Sequence, residues 1–270
     1  MTIRQMKNQS IKFKGIEVSF ADNGRGKAVV FLHGFLGDKT VWNYYAKELS
    51  SSTTRVITID LLGHGKTECL SYVHTMEEMA EAVYAVLKHL KLKKYYLIGH
   101  SMGGYVSLAL AENYPDEIRG LCMFHSSAKA DRDEKKKDRT RAIKVVKRNA
   151  KIFIDEAIPN LFNTTEKPNK QGITKAKKIA LYTSKQGIVA ALEGMRIRLD
   201  REIVLKFAPY PVLYIIGKED NILPYKDLIN QAKLSDNGRY ELLDKVGHMG
   251  FFEAKKECLE ILKGFIKGEV

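Results

Sequence analysis

The chain has few cysteines and none of the motifs that hold a metal ion or a disulfide framework. Its 270 residues contain only three cysteines, Cys69, Cys122 and Cys258, which are widely spaced. An odd, scattered set of this kind predicts free thiols in a reducing cytoplasm. Neither H-E-x-x-H nor C-x-x-C is present, so we expect no metal site and no cofactor.

Long apolar runs are also missing. No run approaches the roughly 20 residues that a membrane helix needs, so we expect no membrane span. Residues 1–7 lack the apolar core of a signal peptide. There is no internal repeat, no low-complexity linker and no sign of a second independent domain. With 44% hydrophobic and 9% aromatic residues, the composition is ordinary for a globular protein with a substantial core.

Positive charge is in excess. The net charge is +13, and residues 129–151 hold eleven Lys or Arg against four Asp or Glu. Such a patch suits an anionic substrate, an acidic carrier protein or nucleic acid. A solvated helix face explains it as well, and we favour that interpretation. Nucleic acid is not expected as a partner, because no recognition motif accompanies the charge. The patch contains apolar residues at helical spacing, which predicts an amphipathic helix: Ile143, Val145, Val146, Ala150 and Phe153.

Strand-like and helix-like patterns alternate along the chain. This alternation predicts an α/β fold with a doubly wound, mostly parallel sheet. The predicted strands are 10–20, 28–32, 55–60, 94–99, 118–124, 211–216 and 239–243, with a turn at 22–24. The predicted helices include 76–90, 102–113 and 253–266. Residues 127–205 lack a strand pattern and are helical and Lys-rich, so we expect an insertion between two core segments, 1–126 and 206–270.

The motif G-x-S-x-G lies between a predicted strand and a predicted helix. It reads Gly99, His100, Ser101, Met102, Gly103. A serine at a sharp strand-to-helix corner needs small neighbours two residues away on each side, because the backbone is crowded there. The context is that of a nucleophile elbow, which holds the Ser101 hydroxyl in front of a helix N-terminus.

A base and an acid follow in the order that a serine nucleophile requires. A serine hydroxyl needs a base within hydrogen-bond reach, and the base needs a carboxylate to orient it. Asp220 comes just after a predicted buried strand, and His248 lies in a loop before the last helix. The order Ser101, Asp220, His248 predicts a catalytic triad. Glu219 is a rival acid; we prefer Asp220, because G-x-x-D with a proline four residues later is typical of proteins with this elbow.

These motifs, with two others, resemble the α/β-hydrolase superfamily. Residues 32–37 read L-H-G-F-L-G after one strand and residues 60–65 read D-L-L-G-H-G after another, as in its lidded esterase branch. The resemblance implies that the insertion is a lid, after the sixth core strand. It also implies an oxyanion hole formed by the backbone N–H groups of Phe35 and Met102. Phe35, Leu36 and His100 are then expected to contact substrate, whereas His33 and His64 hold loops.

The elbow residue indicates the reaction. Related enzymes with an aspartate at this position open epoxides or remove halogens, and this chain has Ser101. Acyl transfer to water is therefore favoured, with an acyl-enzyme formed from a small-molecule ester or thioester. The resemblance implies a carboxylesterase. The sequence does not specify the acyl chain, the alcohol or the oligomeric state.

Three alternatives stay open. Residues 33–37 and 60–67 are also similar to the succinyl-hydroxycyclohexadiene-carboxylate synthases of menaquinone biosynthesis, lyases that use the same triad to eliminate pyruvate. Those enzymes place an arginine after the two elbow glycines and usually a tyrosine before the nucleophile, where this chain has Tyr105 and His100. The second alternative is an esterase acting on an acyl carrier protein, and the third a non-enzymatic binding module.

Overall fold

The computed structural model describes residues 7–165 and 169–268. Most of the stretch screened for a signal peptide therefore lies outside the described residues. The described chain contains one eight-stranded sheet. Its strands are β1 (Lys7–Phe13), β2 (Ile16–Gly24), β3 (Lys27–Leu32), β4 (Thr54–Ile59), β5 (Tyr95–His100), β6 (Ile118–Phe124), β7 (Val212–Gly217) and β8 (Gly238–Leu243).

The sheet is mostly parallel, as predicted. Its strand order is β1-β2-β4-β3-β5-β6-β7-β8. The β1–β2 and β2–β4 pairs are antiparallel, and all later neighbours are parallel. Strands β5 and β7 are buried over nearly their whole length, because helices cover both faces of a doubly wound sheet. The carboxyl ends of the parallel strands share one edge, where binding sites form in such sheets.

Eleven α-helices are assigned within the described residues. Those of the core are α1 (Asn43–Leu49), α2 (Met76–His89), α3 (Met102–Asn113), α9 (Tyr225–Ala232), α10 (Gly250–Glu253) and α11 (Lys255–Lys267). Between β6 and β7 lie α4 (Asp133–Arg148), α5 (Ala150–Ala157), α6 (Lys170–Ala180), α7 (Lys185–Ile197) and α8 (Glu202–Lys206). We call residues 127–205 the insertion; residues 166–168 of it lie outside the described part.

The predicted turn at residues 22–24 is wrong. Those residues end β2 and pair with β4, where Asp22 lies opposite Ile57. The Asp22 carboxylate also accepts two hydrogen bonds from Arg55, at 2.9 and 2.7 Å. The chain turns instead at residues 14–15 and 25–26, where Gly15 and Gly26 have φ of +90° and +92°. A turn-forming composition was therefore overridden by strand pairing and an ion pair.

The amphipathic helix predicted in the basic patch is two helices rather than one. Helix α4 buries Ile143 and Val146, whereas Val145 is 39% exposed. The break comes at Asn149, whose side chain accepts a hydrogen bond from the Ile152 amide and caps α5. The last predicted helix is likewise divided, into α10 and α11 at Ala254.

The three cysteines are free, as predicted, and Cys122 and Cys258 are buried. Burial raises the pKa of the Cys258 thiol to about 12, so this thiol stays protonated near neutral pH. Within residues 7–165 and 169–268, no helix is long and apolar enough to cross a membrane.

Candidate active site

Ser101 occupies a strained corner between β5 and α3. Its φ and ψ are 50° and −115°, a conformation that costs a non-glycine residue of the order of 1–3 kcal/mol. Its amide donates to the Phe124 carbonyl at 3.0 Å, and its carbonyl accepts from the Ser126 hydroxyl at 2.7 Å. A Cβ at Gly99 would collide with the Gly103 carbonyl, and one at Gly103 with the Leu32 carbonyl. The elbow therefore requires both glycines.

The structure brings together the three side chains predicted as a triad. The Ser101 hydroxyl lies 2.9 Å from His248 Nε2, within hydrogen-bond reach. His248 Nδ1 lies 2.7 Å from Asp220 Oδ2. With Nδ1–H donating to the carboxylate, Nε2 is free to accept the serine proton. His248 is buried and Ser101 is half-buried, so the hydroxyl remains within reach of a bound molecule.

Asp220 is fixed by its own loop. Its Oδ1 accepts hydrogen bonds from the amides of Ile222 and Leu223, at 2.7 and 3.0 Å, which leaves Oδ2 for His248. Burial opposes ionisation of this carboxyl, but His248 and the hydrogen bonds outweigh burial and hold its pKa below the usual range. Glu219, the rival acid, accepts no hydrogen bond at its carboxylate within the described chain.

The loop that carries His248 is held by groups that the sequence did not reveal. The Glu253 carboxylate accepts from the amides of Gly247, Met249 and Asn163, at 3.1, 3.2 and 2.7 Å. The His248 amide donates to the Leu161 carbonyl at 2.8 Å. Leu161 and Asn163 belong to the insertion, so the same contacts fix the histidine loop and join it to the insertion. Sequence patterns predict only that the last helix begins at residue 253 and give the Glu253 side chain no role.

Two further histidines surround the triad. His100 donates from Nε2 to the His248 carbonyl at 2.9 Å. His125 Nδ1 accepts from the Gly217 amide at 3.1 Å and lies 3.8 Å from Asp220 Oδ2. Burial lowers the pKa of both rings, so both are neutral near pH 7. His125 was not singled out by the sequence, because a lone histidine after a strand carries no motif.

The backbone amides predicted for an oxyanion hole belong to Met102, the residue after Ser101, and to Phe35. Within the described residues, neither the Phe35 nor the Met102 amide donates a hydrogen bond to the protein. A Cβ built on Gly34 would be 3.2 Å from Ser101 Cβ, so the Phe35 loop packs directly on the elbow. Two unpaired N–H groups near a serine hydroxyl are suited to stabilise negative charge on a carbonyl oxygen.

His33 and Asp60 organise the loop that carries Phe35. His33 Nε2 accepts from the Leu61 amide at 2.9 Å, and Nδ1 lies 2.8 Å from the Gly34 carbonyl. The Asp60 carboxylate binds Lys39 through the amide at 2.7 Å and through Nζ at 2.5 Å. Lys39 is only 4% exposed, so this is a buried ion pair that the sequence did not indicate. The motif at residues 32–37 and the motif at residues 60–65 are thus joined in one hydrogen-bonded unit.

A pocket opens next to the loop that carries Phe35 and encloses about 330 Å³ of empty space, solvent at its mouth included. Phe35, Leu36 and His100, the residues predicted to contact substrate, all line it. Helices of the insertion supply Ala176 and Ile179. The remaining lining residues are Gly34, Gly37, Val41, Ile158, Leu161, Met249, Phe251 and Phe252. No charged side chain lines the pocket, and within the described chain no group of three or more His, Cys, Asp or Glu is arranged to hold a metal ion.

Two other histidines are structural in their contacts. His64 Nδ1 lies 3.0 Å from the Leu62 carbonyl, and burial lowers its pKa to about 3. His74 Nε2 accepts from the Leu70 amide at 3.1 Å, and burial lowers its pKa to about 4. Both stay neutral near pH 7 and hold loops around the Asp60 segment.

Among curated proteins, the chain is similar to enzymes of several kinds. It is 28% identical over 251 residues to the dihydrolipoyllysine-residue acetyltransferase component of the acetoin cleaving system of Pseudomonas putida. That match covers 90% of this chain but only 64% of the relative's length. It is 29% identical to a Bacillus subtilis protein provisionally named 2-succinyl-6-hydroxy-2,4-cyclohexadiene-1-carboxylate synthase, over 93% of this chain and 95% of that one.

Solved structures share the fold over nearly the whole chain. A thermophilic esterase from Thermogutta terrifontis superposes with a TM-score of 0.90 at 30% identity, covering 97% of this chain and 98% of the esterase. An esterase from Exiguobacterium antarcticum gives 0.85 at 22% identity, covering 94% and 96%, and shows the fold alone. The family model for the alpha/beta hydrolase fold matches residues 27–255. The chain therefore belongs to the α/β hydrolase fold family.

Proposed function

We propose that the protein is a carboxylesterase that cleaves its substrate through an acyl-enzyme on Ser101. The observation that carries this proposal is the pair of contacts from Ser101 Oγ to His248 Nε2, 2.9 Å, and from His248 Nδ1 to Asp220 Oδ2, 2.7 Å. This arrangement can remove a proton from a serine hydroxyl and stabilise the resulting imidazolium.

The geometry supports a two-step reaction. His248 takes the proton of Ser101 as Oγ attacks the ester carbonyl, and the amides of Phe35 and Met102 donate to the oxyanion that forms. His248 then gives the proton to the leaving alcohol, and Ser101 is left acylated. A water molecule deprotonated by His248 attacks the acyl group, releases the acid and restores the serine. In this proposal the insertion, residues 127–205, is the lid.

The pocket supports an apolar acyl group. Its side chains are aliphatic or aromatic, apart from His100, which is neutral and donates to the His248 carbonyl. Burial of each methylene of the acyl chain contributes about 0.8 kcal/mol. A carboxylate on the substrate would find no cation in this pocket. We therefore propose esters of apolar, uncharged acyl groups as substrates.

A second candidate is a pyruvate-eliminating lyase, because the Bacillus subtilis relative with that provisional name matches along 95% of its length. The position where such lyases carry an arginine holds Tyr105. Arg198 stacks on the Tyr105 ring with its guanidinium carbon 4.1 Å from the ring centroid. The guanidinium is already bound to Asp131 at 2.5 Å and to the Lys129 carbonyl at 2.7 Å. It is therefore unsuited to a substrate carboxylate, which favours the esterase.

A substrate panel with one variant tests both candidates. Purified protein is assayed with p-nitrophenyl esters from acetate to laurate, beside the succinyl-hydroxycyclohexadiene precursor that the lyases convert. We expect ester hydrolysis that Ser101→Ala lowers by about 10⁴- to 10⁶-fold in kcat without loss of folding. Conversion of the precursor with no ester hydrolysis would contradict the proposal, as would near wild-type turnover by folded Ser101→Ala.

A further inference from the structure

Four large apolar side chains are exposed at neighbouring helix ends of the insertion. Val145 is 39% exposed, Ile152 50%, Leu181 51% and Tyr182 73%. They lie near the end of α4, near the start of α5, and just after α6. We call the exposed surface around these four residues the insertion corner. A cluster of this kind on a folded protein marks a surface that meets another apolar phase.

Polar contacts join the helix ends that form the corner. Lys185 Nζ, at the start of α7, donates to the Lys147 carbonyl near the end of α4 at 3.3 Å. Asp155 of α5 binds Lys151 of the same helix at 2.6 Å and Lys177 of α6 at 3.3 Å. Each exposed apolar residue lies within four positions of one of these contacts. The helix ends that carry the four side chains therefore lie close together.

The corner is strongly cationic. The described residues 144–165 and 169–185 contain nine Lys or Arg and two Asp or Glu. Within the described chain, Lys144, Lys147, Arg148 and Lys178 have no ion-pair partner. A shallow groove on the outer face of α6 adds further ammonium groups, since it is lined by Lys170, Gln171, Thr174, Lys175 and Lys178. Exposed apolar side chains near unpaired cations suit a partner that is apolar beneath an anionic surface.

We propose that the insertion corner docks the protein on an anionic lipid surface. The cations bind the lipid headgroups, and Ile152, Leu181 and Tyr182 enter the boundary between headgroups and acyl chains. A second copy of this chain fits less well, because a two-fold interface would bring the same cationic surface against itself. The inner face of α6, with Ala176 and Ile179, lines the pocket, so docking on the outer face leaves the pocket free.

Vesicle binding tests the proposal directly and does not depend on the esterase activity. The full chain is sedimented with vesicles of phosphatidylcholine alone or with about a third of phosphatidylglycerol. We expect binding to the anionic vesicles at least tenfold tighter than to the neutral ones, and progressive release as sodium chloride is raised from about 0.05 to 0.5 M. Equal binding to both vesicles, or no binding to either, would overturn the proposal.

Charge reversal separates the corner from the overall positive charge. Lys144→Glu with Lys147→Glu removes two cations of the corner, each responsible for roughly a fivefold gain in partition to an anionic surface. Lys93→Glu with Lys94→Glu makes the same change in net charge in the exposed loop before β5. We expect the first pair to weaken binding by at least about 25-fold and the second by less than about threefold. Equal losses would overturn docking at the corner.

The apolar contribution has its own matched pair. Leu181→Ser with Tyr182→Ser removes apolar surface from the corner. The control, Leu199→Ser with Phe207→Ser, removes apolar surface elsewhere, since Leu199 is 61% exposed and Phe207 is 70% exposed. The latter lie beyond the other end of α7. We expect about tenfold weaker vesicle binding for the first pair only. Unchanged binding, or a dimer in solution that the first pair abolishes without vesicle binding, would overturn the proposal.

Discussion

The carboxyl edge of the sheet and the insertion are held by different interactions. At the edge, Ser101, Asp220 and His248 are fixed by backbone hydrogen bonds, crowded glycines and buried, neutral histidines. In the insertion, paired charges join the helices, as where Asp131 binds both Arg139 and Arg198. Its outer surface carries unpaired lysines and exposed apolar side chains.

Because of this difference, we expect the two regions to determine different properties of the protein. In the proposed mechanism, the strand ends hold the reacting atoms in place, and errors of about an ångström there cost rate. The insertion instead shapes the pocket through Ala176 and Ile179 and presents the charged surface. Substitutions at the edge should therefore act on turnover, and substitutions in the insertion on substrate preference, stability and surface binding.

The largest effect should come from the acid of the triad. Asp220→Asn should lower kcat by about 10⁴-fold, because the amide no longer fixes the His248 tautomer or stabilises the imidazolium. Glu219→Gln is the matched control, one residue away, and should leave kcat within about twofold, since surface changes of this kind are nearly neutral. Steady-state kinetics with one ester measures both. A Glu219→Gln variant more damaged than Asp220→Asn would show that the acid is wrongly assigned.

A smaller effect on kcat is expected at Glu253, which joins the loop that carries His248 to the insertion. Glu253→Gln removes the carboxylate that accepts from Gly247, Met249 and Asn163, and should lower kcat by about 10- to 100-fold with little change in KM. It also removes a negative charge that repels the Asp220 carboxylate.

The exposed Glu257→Gln, in α11, is the control for Glu253→Gln and should match the wild type. Wild-type kinetics for Glu253→Gln would show that the histidine loop does not depend on this carboxylate.

In the insertion, Ala176→Leu should change preference rather than chemistry. The added methyl groups fill the pocket, so kcat/KM should fall about tenfold for long acyl chains and little for acetate. Thr174→Leu adds an apolar side chain on the exposed side of the same helix and should leave the chain-length profile unchanged. Equal losses for acetate and laurate would show that this side of the pocket does not hold the acyl chain.

The smallest effect on turnover is expected from Asp131→Asn, which acts on stability. Burial raises the pKa of Asp131, but Arg139 and Arg198 outweigh burial and lower it. A lowered folded-state pKa contributes stability that is present above about pH 4 and lost as pH falls through the folded pKa. Urea unfolding should show the variant about 3 kcal/mol less stable at pH 7, with the difference shrinking below pH ~4. A difference independent of pH would exclude the ion pairs as its cause.

The sheet could be predicted from the sequence, and so could the contacts among Ser101, Asp220 and His248, because both depend on local patterns. Alternating elements and a glycine-flanked Ser101 can be read along the chain, as can an acid and a histidine after strands. The contacts of Glu253 with Asn163 and of Lys39 with Asp60 join residues far apart in sequence, and no spacing predicts them. Residues 22–24 pair with β4 despite their turn-like composition. Val145 is exposed because it lies about 200° around α4 from the buried Ile143.

Covalent labelling shows whether Ser101 is the nucleophile. The protein is treated with a fluorophosphonate, and the adduct is located by mass spectrometry of peptides. We expect one adduct, on Ser101. His248→Ala should severely lower the rate at which it forms, and Ser101→Ala should carry no adduct. Continued ester hydrolysis by a protein with no adduct, or with its adduct on another residue, would show that Ser101 is not the nucleophile.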